Sequence, residues 1–202
     1  MISKISSSIS EKLCYANVIP AEEQALYSYG FFLLLSRSLF FVITFIFGFL
    51  FKTLWESIVF YVLFSLLRGY AGGVHASEEP VCMFFTTVLL FLASAFLHMM
   101  KISTCTAIAV GMLLIGGMVV FLLSPLDTEE KPLNPSERCY YRRVSRLITA
   151  TMALAGSVAI ILKFHGVLYV MSTCVSFEGV LLLIGQGKKY VFDSQQRECQ
   201  MN

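Results

Sequence analysis

Six apolar stretches dominate this chain: Gly30–Phe51, Leu54–Leu67, Val81–Met100, Cys105–Ser124, Leu147–Leu162 and Gly166–Gly185. A helix needs about 20 mostly apolar residues to cross roughly 30 Å of hydrocarbon. Hydrocarbon offers no water to unpaired backbone N–H and C=O groups, so runs of this length are expected as helices. The expectation is an all-α, polytopic transmembrane protein of about six membrane segments. Leu54–Leu67 is short, covering about 21 Å at 1.5 Å per residue. It must tilt little, recruit Gly69–Ala71, or dip in as a re-entrant segment. Four full spans plus two re-entrant ones is the alternative count. The share of charged residues, 14%, is little more than half the roughly 25% of a soluble domain, so the length leaves no room for a sizeable soluble domain.

Lys and Arg set the orientation, because they are retained on the cytoplasmic side. Six crossings with an inner amino terminus put Lys4, Lys12, Arg68, Lys131, Arg138, Arg142, Arg143, Arg146, Lys188, Lys189 and Arg197 inside. Only Lys52, Lys101 and Lys163 fall outside, with Arg37 inside a segment. Both termini, the Arg68–Pro80 break and the Pro125–Arg146 loop are therefore expected in the cytoplasm. Met1 to Pro20 is polar and Ser-rich and lacks the order of a signal peptide. The first apolar run is thus expected to stay as an anchor. Ser10–Tyr29 mixes Glu11, Lys12, Glu22 and Glu23 with Leu13, Tyr15, Val18, Ile19 and Leu26. It reads equally as an interfacial amphipathic segment broken at Pro20 or as a solvated tail. A net charge of +2, with no stacking surface among the basic residues, argues against nucleic acid as a partner.

Cys14, Cys82, Cys105, Cys139, Cys174 and Cys199 lie in tails, connections and spans, not in a small secreted framework, so they do not read as disulfides. No C-x-x-C or H-E-x-x-H pattern exists, and neither a metal nor a cofactor is expected. Chemistry is concentrated in the glycine-rich break Arg68-Gly-Tyr-Ala-Gly-Gly-Val-His75-Ala-Ser-Glu-Glu-Pro-Val-Cys82. An imidazole that takes a thiol proton and stabilises the thiolate is the minimum for a cysteine nucleophile. Pro80 would break a continuous helix and is favoured at a first helical position. His75 is then expected on a loop and Cys82 in the first turn of a helix starting at Pro80. There the helix dipole lowers a thiol pKa, while Glu78 and Glu79 partly oppose it. From spacing alone the plainer reading is favoured, with Cys82 a small buried hydrophobe and His75 an interface residue. Arg68 reads evenly as a topological anchor or as a clamp for a carboxylate or oxyanion.

Two motifs shift that balance. Arg68-x-x-x-Gly72-Gly73-x-His75-Ala…Cys82 resembles the signature of the accessory gene regulator protein B (AgrB-like) family. Pro125-Leu-Asp127-Thr-Glu-Glu-Lys131-Pro132 resembles the Pro-x-Asp-x-x-x-Lys-Pro loop of the same family. These are membrane peptidases of bacteria that process quorum-sensing propeptides. The resemblance implies Cys82 as nucleophile, His75 as its base, and site-building roles for Arg68, Gly72, Gly73, Asp127 and Lys131. It implies a short propeptide with an amphipathic leader as substrate, cut and cyclised through a thioester, in the cell membrane with the site facing the cytoplasm. Residues 1–29 would be the amino-terminal cytoplasmic or interfacial segment, 30–187 the transmembrane catalytic domain and 188–202 a cytoplasmic tail.

The alternative from another class is a small transporter or exporter whose path is lined by Arg37, Glu178 and the broken segments. Arg37 and Glu178 are ionisable groups inside spans and need partners. Their similar depth predicts an ion pair between the first and last segments. Arg142, Arg143 and Arg146 read as topological charges or as contacts to lipid phosphates or an acidic tail. His98, His165, Cys105 and Cys174 read as packing residues, and Gly116-Gly117 as a site of close helix approach. The sequence leaves a homodimer open.

Overall fold

The computed structural model describes residues 2–72, 79–103, 106–126 and 134–201. Among these residues seven α-helices follow one another: α1 (Ile2–Tyr15), α2 (Gln24–Leu50), α3 (Leu54–Ala71), α4 (Glu79–Ser103), α5 (Thr106–Leu123), α6 (Pro135–Ile161) and α7 (His165–Met201). A single 3₁₀ turn, Ala21–Glu23, leads into α2. The six helices from α2 to α7 are each long and apolar enough to span a bilayer. All six runs expected as membrane segments are thus helices of spanning length and composition. The short second run settles as a continuous helix of 18 residues that takes in Arg68-Gly-Tyr-Ala71.

Helix ends follow from local chemistry. Asn17, Lys52 and Lys163 each adopt positive φ, at 53°, 55° and 59°. Each closes its helix in the same manner. Val18 N–H donates to Leu13 O, Thr53 N–H to Gly48 O and Phe164 N–H to Ala159 O. This is the left-handed terminator that satisfies the last carbonyls of a helix. At two of the three ends the residue is a lysine, whose cation sits favourably beside the negative pole of the helix. At the start of α6, Pro135 occupies a first-turn position and the Glu137 carboxylate accepts from Asn134 N–H at 3.1 Å. The charged stretch read as part of a loop up to Arg146 is thus helical from Pro135 onward.

Helix α7 is the axis of the bundle. In its most apolar window 61% of residues are buried, against 11–28% in the other five spans. It packs on α3, α4, α5 and α6. Burial on this scale without a water-driven hydrophobic effect needs close backbone approach, which small residues allow. Gly116 of α5 meets α7 at Ser176, where an added Cβ would lie 2.8 Å from the Ser176 Cα. The Ser176 hydroxyl donates across the interface to Met112 O at 3.0 Å. On α6 the buried residues Ser145, Thr149, Met152 and Ala159 recur at helical spacing and form a similar seam. At one end of the bundle Lys101 Nζ sits 2.8 Å from Glu56 Oε1 and also donates to Lys52 O, tying α4 to α3. The other end holds Gly72, Glu79, Ser124–Leu126 and α1.

Helix α1 packs along α2. It starts at Ile2 rather than Ser10 and is a full helix, not a solvated tail. Ser6 and Ser10 are buried because their hydroxyls donate to Ser3 O and Ser7 O of their own helix. A serine satisfied in this way costs little to bury.

Candidate active site

Cys82 lies near the start of α4, which among the described residues begins at Glu79, one residue before the expected Pro80. It is half-buried and carries a free thiol. The Thr86 hydroxyl donates to Cys82 O at 2.9 Å, so Thr86 marks the same face of α4 one turn further on. Glu79 is engaged by α1. Its carboxylate accepts from Ile2 N–H at 3.1 Å, Ser3 N–H at 3.3 Å and the Ser3 hydroxyl at 2.6 Å. A carboxylate at the amino end of α1 meets unpaired N–H groups and the positive pole of that helix. The amino terminus of the chain is in this way fastened three residues from Cys82.

The two sequence motifs meet through their backbones. Gly72 ends α3 with φ 80° and ψ −155°. It forms a bridge to Leu126, whose N–H donates to Ala71 O at 3.0 Å. A Cβ at Gly72 would lie 2.6 Å from Leu126 O. Glycine is required here twice, for the positive φ and for the close approach. Ser124, just before Pro125, shares a hydroxyl–hydroxyl bond with Ser145 of α6. Tyr70, Tyr140 and Tyr141 cluster with ring centroids 5.7–6.5 Å apart and join the end of α3 to α6. The junction thus draws on α3, the α5–α6 connection and α6.

Arg68 is one turn before Gly72, and its guanidinium Nη1 lies 4.0 Å from Glu178 Oε2 on α7. Glu178 is fully buried and the Arg68 side chain is 26% exposed. This corrects the expected pairing of Arg37 with Glu178. The helical extension to Ala71 brings Arg68 into the bundle, where it reaches the central helix first. Arg146 is also engaged locally. Its Nε donates to Phe121 O near the end of α5 and its guanidinium stacks 4.4 Å over the Phe121 ring. His98 and His165 sit beside Phe51 and Tyr169, and Cys174 is buried, as packing residues would be.

Of the site residues expected from sequence, Cys82, Arg68 and Gly72 are thus placed around one end of α3 and α4. His75, Gly73, Asp127 and Lys131 lie outside the described residues. Sequence reasoning missed three features: the seat of α1 on Glu79, the Arg68–Glu178 pair, and a cavity of about 480 Å³ bounded by α2, α3, α4 and Pro125–Leu126. The signal for the pair was Glu178, an ionisable residue inside a span that needs a partner. For the cavity and the α1 seat the sequence carries no local signal.

A family described as Accessory gene regulator B matches residues 2–184, from α1 to just past the middle of α7. An AgrB-like protein of Clostridium perfringens (strain SM101 / Type A) is 27% identical over 143 residues, covering 68% of this chain and 67% of its own length. AgrB-like protein 2 of Clostridium perfringens (strain 13 / Type A) is 26% identical with the same coverage. No solved structure matches the chain.

Proposed function

The chain belongs to the accessory gene regulator B family, and so to a quorum-sensing system; on that premise we propose that it is a membrane cysteine endopeptidase. It cleaves a short propeptide through Cys82 and promotes its cyclisation. The observation that carries this reading is the place of Cys82. It is a free, half-buried thiol near the start of α4, and Thr86, one turn further along that helix, lines a cavity together with Arg68, Gly72 and Leu126. The thiolate form of a cysteine is the nucleophile, so the site must supply a base for the thiol proton.

His75 takes the Cys82 proton, and the thiolate adds to the scissile carbonyl. The C–N bond then breaks, and the amine of the released tail leaves with the proton from His75. The product on the enzyme is a thioester. An internal Cys thiol or Ser hydroxyl of the same peptide attacks it, restoring the Cys82 thiol and closing a thiolactone or lactone. Attack by water would give a linear acid, so ring closure needs a folded substrate and a sheltered site. The thioester lies uphill from the amide, and removal of the released tail draws the first step forward. The site faces the cytoplasm of the bacterial cell, where a newly made propeptide with an amphipathic leader meets the membrane. Gly73, Asp127 and Lys131 build the site together with Gly72.

The test is propeptide cleavage in membranes. Cys82→Ser and His75→Ala should each abolish it while leaving the protein inserted. Hydroxylamine should release the trapped amino-terminal fragment from Cys82 of the wild type. Undiminished cleavage by Cys82→Ser would overturn the assignment.

A further inference from the structure

The cavity of about 480 Å³ between α2, α3 and α4 is unusual for where it lies. It opens among spanning helices and has two arginines in its wall, Arg37 and Arg68, with no acidic residue lining it among the described residues. Charged groups within spans are expensive unless paired or hydrated. Arg68 has Glu178 at 4.0 Å. Among the described residues no carboxylate lies within ion-pair distance of Arg37, whose carbonyl accepts from the Tyr61 hydroxyl at 2.9 Å. Next to Arg37 the buried Ser36 hydroxyl lines the same cavity with no hydrogen-bond partner among the described residues. Among the described residues a cation and a buried donor therefore face one space, with no carboxylate on the Arg37 side chain and no partner on the Ser36 hydroxyl. The volume falls within the roughly 300–1,000 Å³ of ligand pockets.

The cavity also adjoins the nucleophile. Thr86 lines it and shares a face of α4 with Cys82 one turn away, about 6 Å along the helix. An extended chain covers that distance in about two residues. A peptide held at Cys82 can continue directly into the cavity.

We propose that this cavity binds a carboxylate-bearing segment of a peptide chain, with Arg37 as the group that recognises the carboxylate and Ser36 as a second donor. The proposal deepens the reading of Cys82 as a peptide-processing nucleophile and rests on it for the class of ligand. Binding in the cavity can nevertheless be measured without any catalysis.

The experiment uses the full chain with Ser65→Cys, a cavity-wall position apart from the proposed donors, reconstituted in phosphatidylcholine vesicles. Alkylation at position 65 is followed by mass spectrometry, so the native cysteines are counted separately. The probes are acetyl-Leu-Glu-Leu-amide and acetyl-Leu-Gln-Leu-amide. The acidic peptide should protect position 65 at a concentration roughly tenfold or more below the neutral one, the span expected for a charge-assisted hydrogen bond. Arg37→Gln should remove that difference and Arg37→Lys should restore part of it, which separates recognition from misfolding. Equal protection by the two peptides, or protection indifferent to Arg37→Gln, overturns the proposal. So does protection by phosphatidylglycerol vesicles without peptide, which would make a lipid phosphate the occupant. A protein that shows the expected protection but forms no thioester at Cys82 would sink the proposed activity and leave the cavity assignment standing.

Discussion

Removing Arg68 should unfold the bundle as well as disable the site, and the two effects can be separated. Glu178 is fully buried, with Arg68 Nη1 4.0 Å from its Oε2. Neither Glu178 oxygen has a hydrogen-bond partner among the described residues. At 4 Å and an effective dielectric constant near 20 the Coulomb attraction is about 4 kcal/mol. Breaking a buried pair from one side typically costs about 3–5 kcal/mol, because the remaining charge is left uncompensated. Arg68→Ala should therefore lose about 3–5 kcal/mol of stability in denaturant titrations in mixed micelles. Glu178→Gln should lose less, about 1–2 kcal/mol, because the partly exposed Arg68 can turn to water. The double variant Arg68→Ala/Glu178→Gln should return to within about 1 kcal/mol of Glu178→Gln, since no charge remains orphaned. If Arg68 also serves the reaction, the double variant should be folded and still fail to process propeptide. The reasoning is refuted if Arg68→Ala melts like the wild type. It is equally refuted if the double variant is as unstable as Arg68→Ala.

Three further perturbations test the packing around the site. Gly72→Ala places a Cβ 2.6 Å from Leu126 O at a positive φ, so thermal melts should show a loss of about 1–3 kcal/mol together with lost propeptide cleavage. Gly69→Ala, with open space around its Cβ in the same helix, should instead be neutral or gain about 0.5–1 kcal/mol. Gly116→Ala drives α5 from α7 at Ser176 and should cost about 1–3 kcal/mol by the same assay, whereas Gly111→Ala, with nothing near its Cβ, should not. Ser3→Ala removes the shortest of the three bonds that hold α1 on Glu79. Limited trypsin digestion after Lys4 and Lys12 should then be faster than in the wild type, and an unchanged rate would show that the contact does not hold α1 down.

What the sequence made legible is what the bilayer dictates directly. Six apolar runs became six helices, and Gly116 became a contact because close approach needs a missing side chain. The misreadings share one physical cause: hydropathy measures side chains, whereas a helix is continued by its backbone. The second run loses its apolar character at Leu67, yet hydrogen bonding carries α3 on to Ala71 until the positive φ of Gly72 stops it. Those four residues move Arg68 from the membrane edge into the bundle, which reassigns Glu178 from Arg37 to Arg68. Serines disguised α1 likewise, since Ser6 and Ser10 bond to their own helix and can be buried. The start of α6 was legible in Asn134-Pro135-Ser136-Glu137, a capping pattern obscured by the arginines that follow. The meeting of Gly72 with Leu126 is different in kind, because two backbones joined across 54 positions leave no pattern in either segment. The reassignment has a consequence for the site. With Glu178 taken by Arg68, the other arginine in the cavity wall among the described residues is Arg37, a residue that belongs to neither motif.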